Sequence, residues 1–322
     1  MSERTDDNSH QVIVIGAGPA ALSAAIYTTR EDIDTLLLEK AIPGGLAAVT
    51  DRVDNYPGFP EGIAGLELAS SLQQQAERFG AVIEPTEVIA LHDEGEWKRL
   101  ETITGDYYAK VVLVATGSAY KKLGIPGEEE YYARGVHYCA TCDGAFYRDK
   151  RLVVVGGGNS AVQEAMFLTR FSSHLDLMVR SKLRASEILQ KELQKFIDEG
   201  KITVHLGVTT DEIVGQDGKV TAVKGTDTET GNEVKIDTDG VFVFIGLSPN
   251  NQFANGQLET DEVGLIKSDA NLMTNVPGVF VAGDIRSGAT MQIASAVGEG
   301  ATAALKIREY LEGHPIDVQA EV

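Results

Sequence analysis

The sequence predicts an α/β protein built from two dinucleotide-binding folds, the second inserted into the first. Three observations carry that expectation. A short apolar strand, a Gly-rich turn and a small-residue helix follow one another from Gln11 to Thr29. The same triplet recurs from Leu152 to Thr169. A late strand, Val279 to Ala282, runs into Gly283-Asp284 and then a further helix, as the first fold would on resuming after an interruption. The expected divisions are residues 1–122 and 249–322 for the first Rossmann-like domain and 123–248 for the inserted one, with hinges near Lys121 to Gly127 and Gly246 to Asn250.

A chain of 322 residues is long enough for two ordinary domains. A hydrophobic content of 43% fits a soluble globular protein, and no apolar run approaches the length of a membrane span. Met1 to His10 is polar and acidic, so no secretory leader is expected there. Two cysteines in so long a chain do not make an extracellular disulfide scaffold, and a reducing cytoplasm is the expected setting. The net charge of -20 argues against a nucleic-acid partner. Solubility, a salty habitat or a basic partner would each account for it.

The first strand, Gln11 to Ile15, is the continuous apolar type buried in parallel sheets. Gly16-Ala17-Gly18-Pro19-Ala20-Ala21 follows, where glycines permit a tight turn and close approach to a pyrophosphate seated on the helix N-terminus. A second strand, Thr35 to Leu38, ends in Glu39, placed to hydrogen-bond ribose hydroxyls. Pro43-Gly44-Gly45-Leu46 and Asn55-Tyr56-Pro57-Gly58 read as loops, and Gly65 to Phe79 as an amphipathic helix. Val111 to Ala115 is a buried strand closing on Thr116-Gly117. In the repeat, Gly156-Gly157-Gly158-Asn159-Ser160-Ala161 is the turn and Leu175 to Val179 the next strand. Ile202 to Lys235 reads as a β-meander, and Val241 to Ile245 as a strand leading to Gly246. An Asp at a strand end, as at Asp284, can accept from a ribityl or phosphate-linked hydroxyl, and Gln292 to Ile307 reads as a helix.

Just ahead of the second Gly-rich turn stands His137-Tyr138-Cys139-Ala140-Thr141-Cys142-Asp143-Gly144. Two sulfurs at this spacing can close a disulfide within one turn and exchange two electrons without a large rearrangement. Asp143 directly follows the second sulfur and can hand a proton to a departing thiolate. A zinc site would need four ligands and no second Cys pair exists, so no metal is expected. His92, His174, His205 and His314 stand alone and read as surface or structural, as does His137 beside the motif. Glu128-Glu129-Glu130 reads as a solvated turn, and Trp97 as peripheral.

In their order along the chain, the Gly16 turn, Pro43-Gly44-Gly45, Asn55-Tyr56-Pro57-Gly58, Ala115-Thr116-Gly117, Cys139-Ala140-Thr141-Cys142-Asp143-Gly144, the Gly156 turn and Gly283-Asp284 resemble the low-molecular-weight thioredoxin reductase family, from about Val12 to Tyr310. The resemblance implies a homodimer, FAD in the first domain and a pyridine nucleotide in the second, with domains that rotate to present first nicotinamide and then the Cys pair to the flavin. It implies that Cys142 exchanges electrons with the flavin, that Cys139 attacks the disulfide of a thioredoxin-like partner, and that Asp143 is the acid. It assigns FAD to Gly16, Ala17, Gly18, Pro19, Ala20, Glu39, Lys40, Gly45, Leu46, Asn55, Val88, Ala115, Thr116, Gly117, Gly283, Asp284, Met291, Gln292 and Ile293. It assigns the second nucleotide to Gly156, Gly158, Asn159, Ser160, Ala161, Arg180, Arg184 and Gly246.

Three departures bear on the electron donor. NADPH-using members carry His-Arg-Arg-x-x-x-Arg after the second strand of the inserted domain, whereas this chain has Val179-Arg180-Ser181-Lys182-Leu183-Arg184. Losing one bidentate guanidinium weakens a phosphate clamp, since Lys is only a point charge. Leu46 replaces the amide of the family's Gly-Gly-Gln, and Thr290-Met291-Gln292 stands where Arg-Gln is usual. The donor is therefore open between NADPH, NADH, a second flavin nucleotide such as a second FAD, and ferredoxin. A flavin-binding redox sensor without steady turnover is the alternative from another class. A ferredoxin–NADP reductase of this type would lack the Cys pair.

Overall fold

The fold is seen in a computed structural model that describes residues 4–50 and 53–313. His314 lies outside the described residues. Contacts divide the chain into two compact units, the described parts of Met1–Ala119 and Ser248–Val322 forming one and Tyr120–Leu247 the other. The first unit contains β1 (Ser9–Ile15), α1 (Pro19–Thr29), β2 (Thr35–Glu39), α2 (Gly45–Ala48), α3 (Gly65–Arg78), β3 (Val82–Pro85), β4 (Val88–Glu94), β5 (Trp97–Thr102), β6 (Gly105–Val114) and, at its edge, β7 (Ser118–Tyr120). The second contains β8 (Val136–His137), α4 (Ala140–Asp143), β9 (Arg151–Val155), α5 (Asn159–Leu168), β10 (His174–Val179), α6 (Glu187–Asp198), β11 (Ile202–Leu206), β12 (Glu212–Gln216), β13 (Lys219–Thr226), β14 (Glu233–Asp237) and β15 (Gly240–Val243). The chain returns to the first unit through β16 (Leu247–Pro249), then β17 (Val279–Val281) and α7 (Ile293–Leu311).

The first unit's sheet runs β3-β2-β1-β6-β5-β4, with β17 also on β6. The length of β6, 10 residues, makes this possible: its first half pairs antiparallel with β5, and Val112 to Val114 pair parallel with β17. Alternation along β1 explains its unbroken apolar run. Val12 and Val14 join α1, α3 and α7 residues in one core, while Ile13 and Ile15 join Leu91, Leu100 and Phe253 in another. The small residues of α1 and α7 let the helices touch through backbone, since a Cβ at Gly300 would collide with the Ala20 carbonyl.

In the second unit, β11-β10-β9-β15-β8 form a parallel sheet and β12-β13-β14 an antiparallel one. Leu152, Leu175 and Leu177 pack with α5 and α6, while Val153 and Met178 pack with Val220 and Val223 of β13. The expected meander over Ile202 to Lys235 is therefore shorter. Its first strand belongs to the parallel sheet, with Ile202 opposite Leu175, because the unexpected helix α6 carries the chain back across one face.

Two further expectations are corrected. Glu128 is not part of a solvated turn but 2% exposed. Its carboxylate accepts from the Leu123 and Gly124 N–H groups and the Tyr138 hydroxyl, each at 2.7 Å, which removes the cost of burying the charge. His92, His174 and His205 do not stand alone either: His92 Nε2 lies 3.3 Å from Glu101, while the other two approach the buried Asp176, His205 Nε2 at 2.8 Å and His174 Nε2 at 3.8 Å, with Arg151 on the other carboxylate oxygen. Among the described residues, no helix is long and apolar enough to cross a membrane.

Candidate active site

The first cradle lies where strands of the first unit end. After β1, Gly16 turns with φ 103°, and a Cβ there would sit 2.6 Å from the Ala115 carbonyl oxygen at the end of β6. Close approach and positive φ both demand glycine. Gly18 is different. Its φ is -76° and a Cβ would meet no atom within 4 Å, so nothing in the protein itself requires glycine there. The open side is the N-terminal end of α1, where free N–H groups and the helix dipole favour a phosphate. Pro19 opens that helix, where a missing N–H sacrifices no bond.

Around this turn, Glu39 at the end of β2 accepts the Ala17 N–H at 2.7 Å and the Ala41 N–H at 2.8 Å. The Gly44 N–H donates to the Ala17 carbonyl at 2.7 Å, laying the Pro43-Gly44-Gly45 loop against the turn. The Thr116 hydroxyl donates to the Asn250 carbonyl at 2.7 Å, fixing the segment before Gly117. The Gly283 N–H donates to Glu299 at 2.8 Å, and burial with the Glu299 charge pushes the Asp284 carboxyl up to about 6. Asn55 donates to Gln292 at 2.9 Å, bringing two distant loops together, and Met291, Gln292 and Ile293 are half-buried at the start of α7. Lys40 pairs with Glu87 at 3.3 Å, next to half-buried Val88, and Leu46 is exposed on α2. The carboxyl ends of parallel strands are where open α/β sheets bind nucleotides.

The second unit repeats the device. A Cβ at Gly156, whose φ is 146°, would collide with the Phe244 carbonyl. At Gly158, the cap of α5, a Cβ would again meet nothing within 4 Å. The Asn159 side chain accepts the Ser186 N–H at 2.8 Å, Ser160 is exposed and Ala161 fully buried. The Arg184 N–H donates to the Gly157 carbonyl at 2.7 Å, which returns the loop after β10 to the Gly turn. Arg180, Lys182 and Arg184 are exposed and have no carboxylate partner among the described residues. Gly246 turns with φ 116° beside Lys121.

Between the edge strand β8 and β9, Cys139 and Cys142 form a disulfide with Cα atoms 5.3 Å apart. Cys139 is extended and caps the single turn of α4, its sulfur 3.2 Å from the Cys142 N–H. Asp143, the last residue of that turn, lies 3.2 Å from His137 Nδ1, and His137 Nε2 lies 2.7 Å from the Tyr147 hydroxyl. The buried imidazole stacks on Phe242 at 5.1 Å, with Tyr147 edge-on at 5.3 Å. Burial and the charges of Asp143 and Asp239 push the Tyr147 hydroxyl well above the usual phenol range, so it stays protonated. Tyr147 is a site residue that sequence reasoning missed; nothing in its spacing pointed to His137.

The pyridine nucleotide-disulphide oxidoreductase family matches residues 10–300, a span that includes both Gly turns and the disulfide. The chain belongs to this family. Within it, the chain is 43% identical over 309 residues to the thioredoxin reductase of Bacillus subtilis (strain 168), covering 96% of each. The crystal structure of thioredoxin reductase from Streptococcus pyogenes MGAS5005 is similar with 38% identity and a TM-score of 0.89, over 96% of this chain and 100% of that one. Thioredoxin reductase from Giardia duodenalis is similar with 31% identity and a TM-score of 0.89, over 95% and 99%. The chain is thus an FAD-dependent disulfide oxidoreductase of the thioredoxin-reductase type. The residues present fit such groups: each Gly turn carries one glycine, Gly18 or Gly158, whose missing side chain leaves room in front of a helix N-terminus.

Proposed function

We propose that the protein reduces the disulfide of a thioredoxin-like partner in a reducing cytoplasm, as a homodimer fed by a pyridine dinucleotide at the Gly156 turn. The disulfide of Cys139 and Cys142, set beside Asp143, is the observation that carries this reading. A flavin held at the Gly16 turn would supply two-electron chemistry linking reduced nicotinamide to a disulfide. An electron pair received at Cys142 Sγ would break the Sγ–Sγ bond, leaving Cys142 a thiolate and Cys139 a departing thiolate that takes a proton from Asp143. Cys139 then gives up that proton as it attacks the partner's disulfide, the proton passing to the partner's first departing sulfur. The Cys142 thiolate resolves the mixed disulfide, restoring the internal bond, and the second departing sulfur takes a proton from solvent.

The donor site discriminates weakly between NADPH and NADH. Arg180, Lys182 and Arg184 supply unpaired positive charge for a 2′-phosphate, but Ser181 contributes no guanidinium. Anaerobic titration with each nucleotide, following flavin bleaching, tests this. Similar bleaching by both supports it, whereas a preference for NADPH above about 100-fold, roughly 2.7 kcal/mol, would refute it. Failure of both, with a second flavin nucleotide released on denaturation, would place flavin at the second turn; failure with one FAD released would favour a ferredoxin donor.

A further inference from the structure

His137 lies between Asp143 and Tyr147, its Nδ1 3.2 Å from the Asp143 carboxylate and its Nε2 hydrogen-bonded to the Tyr147 hydroxyl. His137 is 7% exposed and its ring is held on two sides, stacked on Phe242 and edge-on to Tyr147. Its two nitrogens are both engaged, Nδ1 with Asp143 at 3.2 Å and Nε2 with the Tyr147 hydroxyl at 2.7 Å. A Cβ at Gly240 would lie 2.5 Å from the Tyr147 ring, so that glycine leaves the room Tyr147 occupies. Beyond Tyr147 lies Asp239, which is exposed and 3.6 Å from Lys150.

We infer that His137 is a positioning residue that resupplies Asp143 with the proton spent on the cysteine pair, drawing it through Tyr147 from solvent beside Asp239. The inference rests on Asp143 being the acid. With Asp143 a carboxylate, the relay starts with Nδ1–H directed at it and Nε2 accepting from the Tyr147 hydroxyl. Passing one proton along the row leaves Asp143 protonated and donating to Nδ1, with Nε2–H donating to Tyr147 and the phenol hydrogen replaced from solvent. The imidazole exchanges one neutral tautomer for the other, so no net charge is left in the buried position. Other groups near this row are Tyr132, whose hydroxyl is pushed up by burial and the Asp143 charge, and Asp239, whose charge acts on Tyr147.

The test times reduction of the Cys139–Cys142 disulfide in the holoprotein by stopped-flow reoxidation of reduced flavin. Asp143→Asn is expected to slow this step about 100-fold, within the contribution of a general acid, and His137→Phe or Tyr147→Phe about tenfold. His137→Phe keeps a ring on Phe242, and Tyr147→Phe removes a single oxygen. The double variant H137F/D143N is expected to be no slower than D143N alone, because His137 acts through Asp143. A second readout needs no turnover: the pH midpoint for iodoacetamide alkylation of the reduced pair shifts in H137F and Y147F in the direction seen for D143N. Wild-type rates in H137F and Y147F, or a further tenfold loss in H137F/D143N, would overturn the inference. A wild-type rate in D143N would instead remove Asp143 as the acid, a separate failure visible before His137 is considered.

Discussion

Glu39 Oε2 accepts the Ala17 backbone N–H at 2.7 Å, so the last residue of β2 is clamped to the turn that follows β1. Its other oxygen accepts from Ala41. A residue suited by spacing to a ribose thus also fixes the shape of the phosphate turn. Glu39→Ala leaves the buried Ala17 N–H without its acceptor, while the exposed Ala41 N–H turns to water, and is expected to cost about 1–3 kcal/mol in urea unfolding. Flavin should also be lost on gel filtration.

The two kinds of glycine in each turn make separable predictions. Gly16→Ala meets the Ala115 carbonyl and a φ of 103°, so it should damage both folding and flavin binding. Gly18→Ala and Gly158→Ala meet no protein atom within 4 Å and should unfold at nearly the wild-type denaturant midpoint. Gly18→Ala should weaken flavin at least tenfold, about 1.4 kcal/mol. Gly158→Ala should retain flavin and bind pyridine nucleotide weakly, as read by isothermal titration.

Asp284 gives a pH signature. Its carboxyl is raised to about 6 by burial and the Glu299 charge, above the unfolded value of about 3.9. Folding therefore favours the protonated form, and the flavin-free chain loses stability as pH rises through that window. Asp284→Asn should melt higher than the wild type above about pH 6, by about 2–4 °C for each kcal/mol relieved, with the difference closing below about pH 4. If Asp284 holds flavin, the same variant binds it about tenfold more weakly.

Asp176 has the opposite sign. Burial alone would raise its carboxyl, but hydrogen bonding from His205, the nearby His174 and His205 charges and Arg151 hold it below the usual carboxylate range. Such a group adds stability above the unfolded value of about 3.9, which is lost as pH falls through the folded value. Asp176→Asn should be about 2 kcal/mol less stable near neutral pH, with the gap narrowing in acid. Urea unfolding at several pH values checks this; a gap constant with pH would show that the cluster acts through shape alone.

The fold class was legible because a buried parallel strand and a Gly-rich turn are both written locally, in Val12 to Gly18 and again in Val153 to Gly158. The disulfide was legible for the same reason, its partners being three residues apart. What escaped depends on contacts across the fold. Glu128 reads as one of three solvated acids, and only the fold turns it toward the Leu123 and Gly124 amides. His137 meets Tyr147 across α4 and the 3-10 turn, Gly144–Tyr147, that follows it, and Asp176 meets His205 because α6 brings β11 back parallel to β10. Periodicity does not report such convergence.

The central claim is that the electron pair reaches the cysteines by way of the flavin. Counting thiols after anaerobic reduction of the holoprotein by pyridine nucleotide tests it most directly. Two new thiols per chain should appear in the wild type, for the bond between Cys139 and Cys142. Cys142→Ser should gain none, although its flavin still bleaches. Reduced flavin in the wild type with no new thiols would contradict the account.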